Sequence, residues 1–164
     1  MLILGLDPGS RITGYGLVKS QDGKTSYVAS GCIRMPNVDF ATRLVKLYDA
    51  ITQIIAEFQP DCFAIEQVFV KHNVQSALKL GQARGVLLLA AARTNQEIFE
   101  YSPREVKLAI SGYGNAQKHQ VQSMVKSILS LNAVPQEDAA DALAIAICHL
   151  NMAKMNKITT ESSI

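Results

Sequence analysis

Four carboxylates stand where they could converge on a cation. Asp7 closes the apolar run Leu2-Ile3-Leu4-Gly5-Leu6, and Glu66 closes a second, Cys62-Phe63-Ala64-Ile65. Asp138 and Asp141 are three residues apart at the head of a stretch that continues Ala142-Leu143-Ala144-Ile145-Ala146-Ile147. A carboxylate on the last residue of a buried strand emerges at the sheet end, where open α/β folds place their ligands. Acids three apart on a helix share a face. An all-oxygen donor set without His or Cys suits a hard cation such as Mg²⁺, with Mn²⁺ able to substitute. Four such groups in one site repel one another unless about two divalent ions join them, and ions roughly 3.5–4 Å apart serve in-line phosphodiester chemistry.

Each acid has a plainer reading when taken alone. Asp7-Pro8-Gly9 has the residue types of a β-turn, and Asp138 and Asp141 favour the positive end of a helix dipole. The dipole does not explain why the rest of that helix is almost wholly Ala, Leu and Ile. Such a helix is largely buried, and unpaired carboxylates at its mouth are costly unless a cation or solvent meets them.

The elements that must position these groups follow from patterning. Near-continuous hydrophobicity over residues 2–6 predicts a strand covered on both faces, inside a sheet. Strands are also expected over residues 13–18 and 25–33, joined by Gln21-Asp22-Gly23, whose Asp-Gly pair marks a hairpin. Asp39 caps a helix striped by Phe40, Leu44, Leu47, Ile51, Ile54 and Phe58, which ends at Pro60. Residues 74–94 predict a long helix carrying Gly81 and Gly85 on one face. Each costs about 1 kcal/mol relative to Ala, which points to a close approach there, either by this chain's own sheet or by another subunit. Residues 98–101 predict a fifth strand, Ser102-Pro103 caps a short helix near Arg104, and residues 111–118 form a glycine-containing loop before a helix over 120–129. Pro135 is expected in the first turn of the last helix, and the polar tail from Lys154 is expected to be disordered.

Composition narrows the function classes. The 164 residues are 48% hydrophobic and 18% charged, as in a soluble domain, and no apolar stretch reaches the roughly 18 residues needed to span a bilayer. No secretory signal is evident at the start, so a cytoplasmic location is expected. Cys32, Cys62 and Cys148 are far apart with apolar neighbours, which predicts buried free thiols. Net charge is +2, but setting the four carboxylates aside leaves sixteen Lys/Arg against ten acids. A basic surface around an acidic pocket suits a polyanionic substrate.

The motifs Leu6-Asp7-Pro8-Gly9-Ser10-Arg11-Ile12-Thr13-Gly14-Tyr15-Gly16, Ala64-Ile65-Glu66-Gln67-Val68-Phe69, Ala77-Leu78-Lys79-Leu80-Gly81-Gln82-Ala83-Arg84-Gly85 and Ala139-Ala140-Asp141-Ala142-Leu143-Ala144 closely resemble the RuvC family of crossover junction endodeoxyribonucleases. The resemblance covers about residues 1–151. It implies a ribonuclease-H-like α/β fold, a five-stranded mixed sheet flanked by helices, with residues 1–153 as the nuclease domain and 154–164 as the tail. It also implies a homodimer that acts on four-way (Holliday) DNA junctions with two metal ions per subunit, and a partnership with the RuvA-RuvB branch-migration complex. A two-fold substrate calls for two symmetric sites, which an isologous dimer supplies.

By position, the resemblance makes Asp7, Glu66, Asp138 and Asp141 the metal ligands. Lys118 and Lys107 become the groups that hold the scissile phosphate. Phe69, Lys71 and His72, in a loop expected to be mobile, together with Arg104, become DNA contacts, with Phe69 able to stack on an unpaired base. Gly5-Leu6-Asp7-Pro8-Gly9-Ser10 is also similar to the first phosphate loop of actin-like kinases, but those need two lobes to enclose ATP. A ribonuclease-H-like member without catalysis, or a plain DNA-binding module, is the remaining alternative.

Overall fold

The structure, a computed structural model, describes residues 1–68 and 73–161, the side chains of 156–161 excepted. Phe69, Lys71 and His72 therefore lie outside the described residues.

The apolar opening run forms β1 (Leu2–Asp7) at the centre of a five-stranded sheet of order β3-β2-β1-β4-β5. It pairs antiparallel with β2 (Ile12–Gln21), which pairs antiparallel with β3 (Lys24–Arg34). On its other side it pairs parallel with β4 (Cys62–Glu66), and β4 pairs parallel with β5 (Glu97–Tyr101). The expected hairpin is present: Asp22 and Gly23 take φ of 52° and 77°, the left-handed pair that suits a two-residue turn between twisted strands.

Helices cover both faces of the sheet. α1 (Phe40–Phe58) and α2 (Val74–Ala92) pack on the face that carries Leu4, Leu6, Leu17, Phe63 and Ile65. α3 (Pro103–Ser111), α4 (Lys118–Ile128) and α5 (Glu137–Glu161) pack on the face that carries Ile3, Val18, Cys62 and Ala64. This two-sided burial explains why β1 and β4 lack polar alternation. Asp39 caps α1 by accepting from the Thr42 amide at 2.9 Å, and Ser102 and Glu105 form a capping box on α3.

Several boundaries differ from expectation. α1 is closed by Gln59 in the left-handed conformation (φ 47°), so Pro60 follows the cap. Pro135 precedes the last helix: the Gln136 carbonyl accepts the Ala140 amide at 2.8 Å, and α5 begins at Glu137. α4 begins at Lys118, two residues earlier than the periodicity indicates, because that residue belongs to its first turn. α5 runs to Glu161; once a helix is nucleated, each further residue adds a hydrogen bond at small cost.

Gly81 and Gly85 do not approach this chain's own sheet, since a Cβ at either would meet nothing within 4 Å. They lie on an open face of α2 with the exposed Val74, Leu78 and Leu89. The glycines that do meet a close neighbour are in the sheet. A Cβ at Gly5 would sit 2.1 Å from the Ala142 carbonyl oxygen, one at Gly14 2.0 Å from that of Asp138, and one at Gly16 2.7 Å from the Leu143 amide nitrogen. Gly5 pairs with Gly16, and Asp7 with Gly14, across β1 and β2. Bare backbone there lets α5 lie directly on the sheet. Among the described residues, no helix is long and apolar enough to cross a membrane.

Candidate active site

Asp7 and Glu66 end adjacent parallel strands held in register by Leu6 and Ile65. Alternation along β1 puts Asp7 on the same face as Gly5 and Ile3, the face covered by α5. Glu66 follows Ala64 on the matching face of β4. The turn after Asp7 is pinned by Thr13, which is fully buried. Its Oγ1 donates to the Gly9 carbonyl at 3.1 Å and accepts from the Gly9 amide at 3.3 Å. Gly9 must lack a side chain, because a Cβ would fall 1.7 Å from the Ile12 carbonyl oxygen.

Asp7, Glu66 and Asp141 line one cleft of about 270 Å³ with Lys107, Lys118, Pro103, Val106 and Val121. Burial, with the charges of Glu66, Asp141 and Asp138, pushes the Asp7 carboxyl up to about 8, against the pull of Lys118. Burial and Asp141 push Glu66 up to about 7, opposed by Lys107 and Lys118. Asp141 is raised by burial, with Lys118 the largest opposing influence. Three half-buried acids that each resist ionisation form a cluster short of positive charge.

The four acids are not equivalent. Asp138 does not line the cleft; its charge reaches Asp7, Asp141 and Cys32, the last on the β2–β3 side. Among the described residues, no three His, Cys, Asp or Glu side chains stand close enough to hold a metal ion as placed. The donor chemistry nonetheless fits a hard divalent ion, since every facing ligand is a carboxylate and each is destabilised by its neighbours.

This arrangement gives a pH dependence with a definite sign. Without a cation, the folded protein keeps protons on Asp7 and Glu66 up to about pH 8 and 7, whereas the unfolded chain releases them near pH 4. Stability contributed by these groups is full below about pH 4 and is lost as pH rises through 7 and 8. Calorimetry in EDTA is expected to show a melting temperature that falls between pH 5 and 8.5. Mg²⁺ is expected to restore it at the higher pH and to do little at pH 5.

The remaining candidates separate. Lys107 is half-buried at the cleft wall, while Lys118 is exposed and its ammonium pairs with Glu137. Arg104 is exposed and does not line the cleft; its side chain lies over Gly114, whose missing Cβ would come 2.9 Å from Arg104 Cγ. Glycine in that loop thus serves local packing, and Gly112 closes α3 at φ 76°. His149 is a satisfied core residue, bonded to the Tyr101 hydroxyl at 2.8 Å and stacked on Phe99. All three cysteines are free, with Cys62 and Cys148 buried.

Two positioning features escaped the sequence reading. Arg84 Nε donates to the Glu66 carbonyl at 3.2 Å, and its guanidinium pairs with Glu100, bracing the ends of β4 and β5. The signal available was a cation inside a glycine-bearing motif. Gly5, Gly14 and Gly16 set the depth of α5, and thereby of Asp138 and Asp141. Their signal was the alternation in Thr13-Gly14-Tyr15-Gly16, which strips one face of a strand.

Comparison with known proteins identifies the family and the fold. The family model described as crossover junction endodeoxyribonuclease RuvC matches residues 3–149. The crossover junction endodeoxyribonuclease RuvC of Pseudoalteromonas translucida is 57% identical over 148 residues, covering 90% of this chain and 85% of the relative. The Thermus thermophilus RuvC structure, 31% identical, has a TM-score of 0.84 over 95% of this chain and 97% of its own. The T. thermophilus protein in complex with a Holliday junction substrate, also 31% identical, gives 0.88 over 95% and 96%. With that match the sheet and its flanking helices are a ribonuclease-H-like fold, and the chain belongs to the RuvC family of crossover junction endodeoxyribonucleases.

Proposed function

We propose that the protein resolves four-way DNA junctions in recombination and repair, nicking two like-oriented strands symmetrically to leave 5′-phosphate and 3′-hydroxyl ends. The observation that carries this reading is the cleft itself, where three acids and two lysines meet at the carboxyl ends of the paired parallel strands. Asp7, Glu66, Asp138 and Asp141 would hold two Mg²⁺ ions, with Mn²⁺ able to substitute. When bound, the ions supply activation of water and stabilisation of the departing 3′-oxygen. The protein's own part is to hold the carboxylates on rigid strand ends and a buried helix. Lys107 and Lys118 reach the scissile phosphate from the opposite wall and offset its charge. Phe69, Lys71, His72 and Arg104 serve as outer DNA contacts.

The active form is a homodimer joined through α2. Val74, Leu78, Gly81, Gly85 and Leu89 recur at helical spacing on one side, where Val74, Leu78 and Leu89 are 66%, 62% and 56% exposed. A shallow groove of about 320 Å³ runs among Val74, Ala77, Leu78, Gly81 and Gln82. The bare glycine backbones give a second copy room to approach. Gly81→Leu is expected to shift sedimentation from dimer to monomer and to uncouple paired nicking; an unchanged dimer would place the interface elsewhere. A cytoplasmic location and collaboration with a RuvA-RuvB branch-migration complex belong to the same reading.

The test is a labelled synthetic four-way junction beside a linear duplex of the same sequence. Mg²⁺ or Mn²⁺ is expected to produce paired symmetric nicks in the junction alone, and EDTA to abolish them. Equal cutting of the duplex, or cutting in EDTA, would defeat the reading.

A further inference from the structure

Lys118, the cleft lysine that opens α4, already has a partner. Its Nζ pairs with Oε1 of Glu137, the first residue of α5. It also lines the cleft with Asp7 and Asp141. Residues four apart on a helix face the same way, so Glu137 and Asp141 form two carboxylates on one side of α5, and the Lys118 ammonium lies beside both. The two acids compete for that ammonium. An ammonium seated on Asp141 would occupy the oxygen lone pairs that a hard cation must use.

We propose that Glu137 is a positioning residue that holds Lys118 off Asp141 and so keeps that carboxylate open to the divalent ion; the inference rests on the metal-centre reading above. The Lys118 and Glu137 side chains are 67% and 48% exposed, so the pair is held weakly. A phosphate entering the cleft can therefore take Lys118 over without a large penalty. Glu137 thereby acts twice: it parks the cation clear of the ligand, and it leaves it within reach of the DNA.

The experiment measures Mn²⁺ binding to the full chain without DNA, from the electron paramagnetic resonance signal of free Mn²⁺, in a double-mutant cycle. Glu137→Gln is expected to weaken binding roughly three- to fivefold, in line with the modest worth of an exposed pair. In a Lys118→Met background the same substitution is expected to change affinity by less than about twofold, since no ammonium remains to be held. Equal weakening in both backgrounds would mean that Glu137 acts on the ion by its charge alone, which overturns the inference. Undiminished binding by Glu137→Gln also overturns it. If the wild-type chain binds no Mn²⁺, the metal-centre reading fails and this one with it. Half-exposed Glu137 has no core role, and Glu137→Ala provides a second variant.

Discussion

Asp7→Asn is expected to lower junction cleavage by about a thousandfold or more while leaving junction binding intact. The magnitude follows from position. Asp7 is central in the acidic cluster, coupled to Glu66, Asp141 and Asp138, so its loss weakens the whole ligand set. A divalent ion at a phosphoryl centre contributes several kcal/mol of charge stabilisation, and each 1.36 kcal/mol is tenfold in rate. DNA affinity comes mainly from cationic contacts to phosphate, which the substitution does not touch. The same variant carries a stability signature. A neutral Asn resembles the protonated form that the fold prefers up to about pH 8. In EDTA at pH 8.5 the variant is therefore expected to melt higher than wild type, and the difference is expected to shrink as pH falls toward 4. Loss of junction binding together with a lowered melting temperature would assign Asp7 to folding instead.

The parts of this site that sequence could reveal are those governed by local rules. A strand buried on both faces needs no partner information to be read, and β1 is central as its unbroken apolar run implies. Asp7 and Glu66 were visible because both end such runs, and two parallel strand ends bring their last residues together. What escaped was set by contact between distant elements. The glycines at 5, 14 and 16 fall inside predicted strands, and their role shows only when α5 is seen lying on them. Gly81 and Gly85 carried the opposite message: spacing alone left a close approach by the chain's own sheet as plausible as one by another subunit, and the open space around them removes the first. Glu137 carried no signal in the sequence, and only the fold brings Lys118 from α4 to meet it. Asp138 shares a helix face with Asp141 as spacing requires, yet one turn of helix is enough to leave it outside the cleft wall.

Gly5→Ala tests whether the bare strand face sets the position of α5, the helix that carries Asp138 and Asp141. The added methyl would lie 2.1 Å from the Ala142 carbonyl oxygen and 2.9 Å from the Ala146 amide nitrogen. Both are backbone atoms of a helix whose residues 142–146 are fully buried, so no flexible side chain can give way. Relief requires α5 to rise from the sheet, and overpacking of this kind costs about 3 kcal/mol or more. For a chain of this size, that corresponds to a melting temperature lower by roughly 10 °C. Asp141 lies one residue before Ala142, so the same displacement withdraws its carboxylate from the cleft. A misplacement of about 1 Å can cost on the order of a hundredfold in rate, so the folded variant is expected to cut junctions poorly even well below its melting temperature. Gly14→Ala, opposite Asp7 and 2.0 Å from the Asp138 carbonyl oxygen, is expected to behave alike. Wild-type melting and wild-type cleavage in both variants would show that α5 is held at its depth by something other than the glycine face.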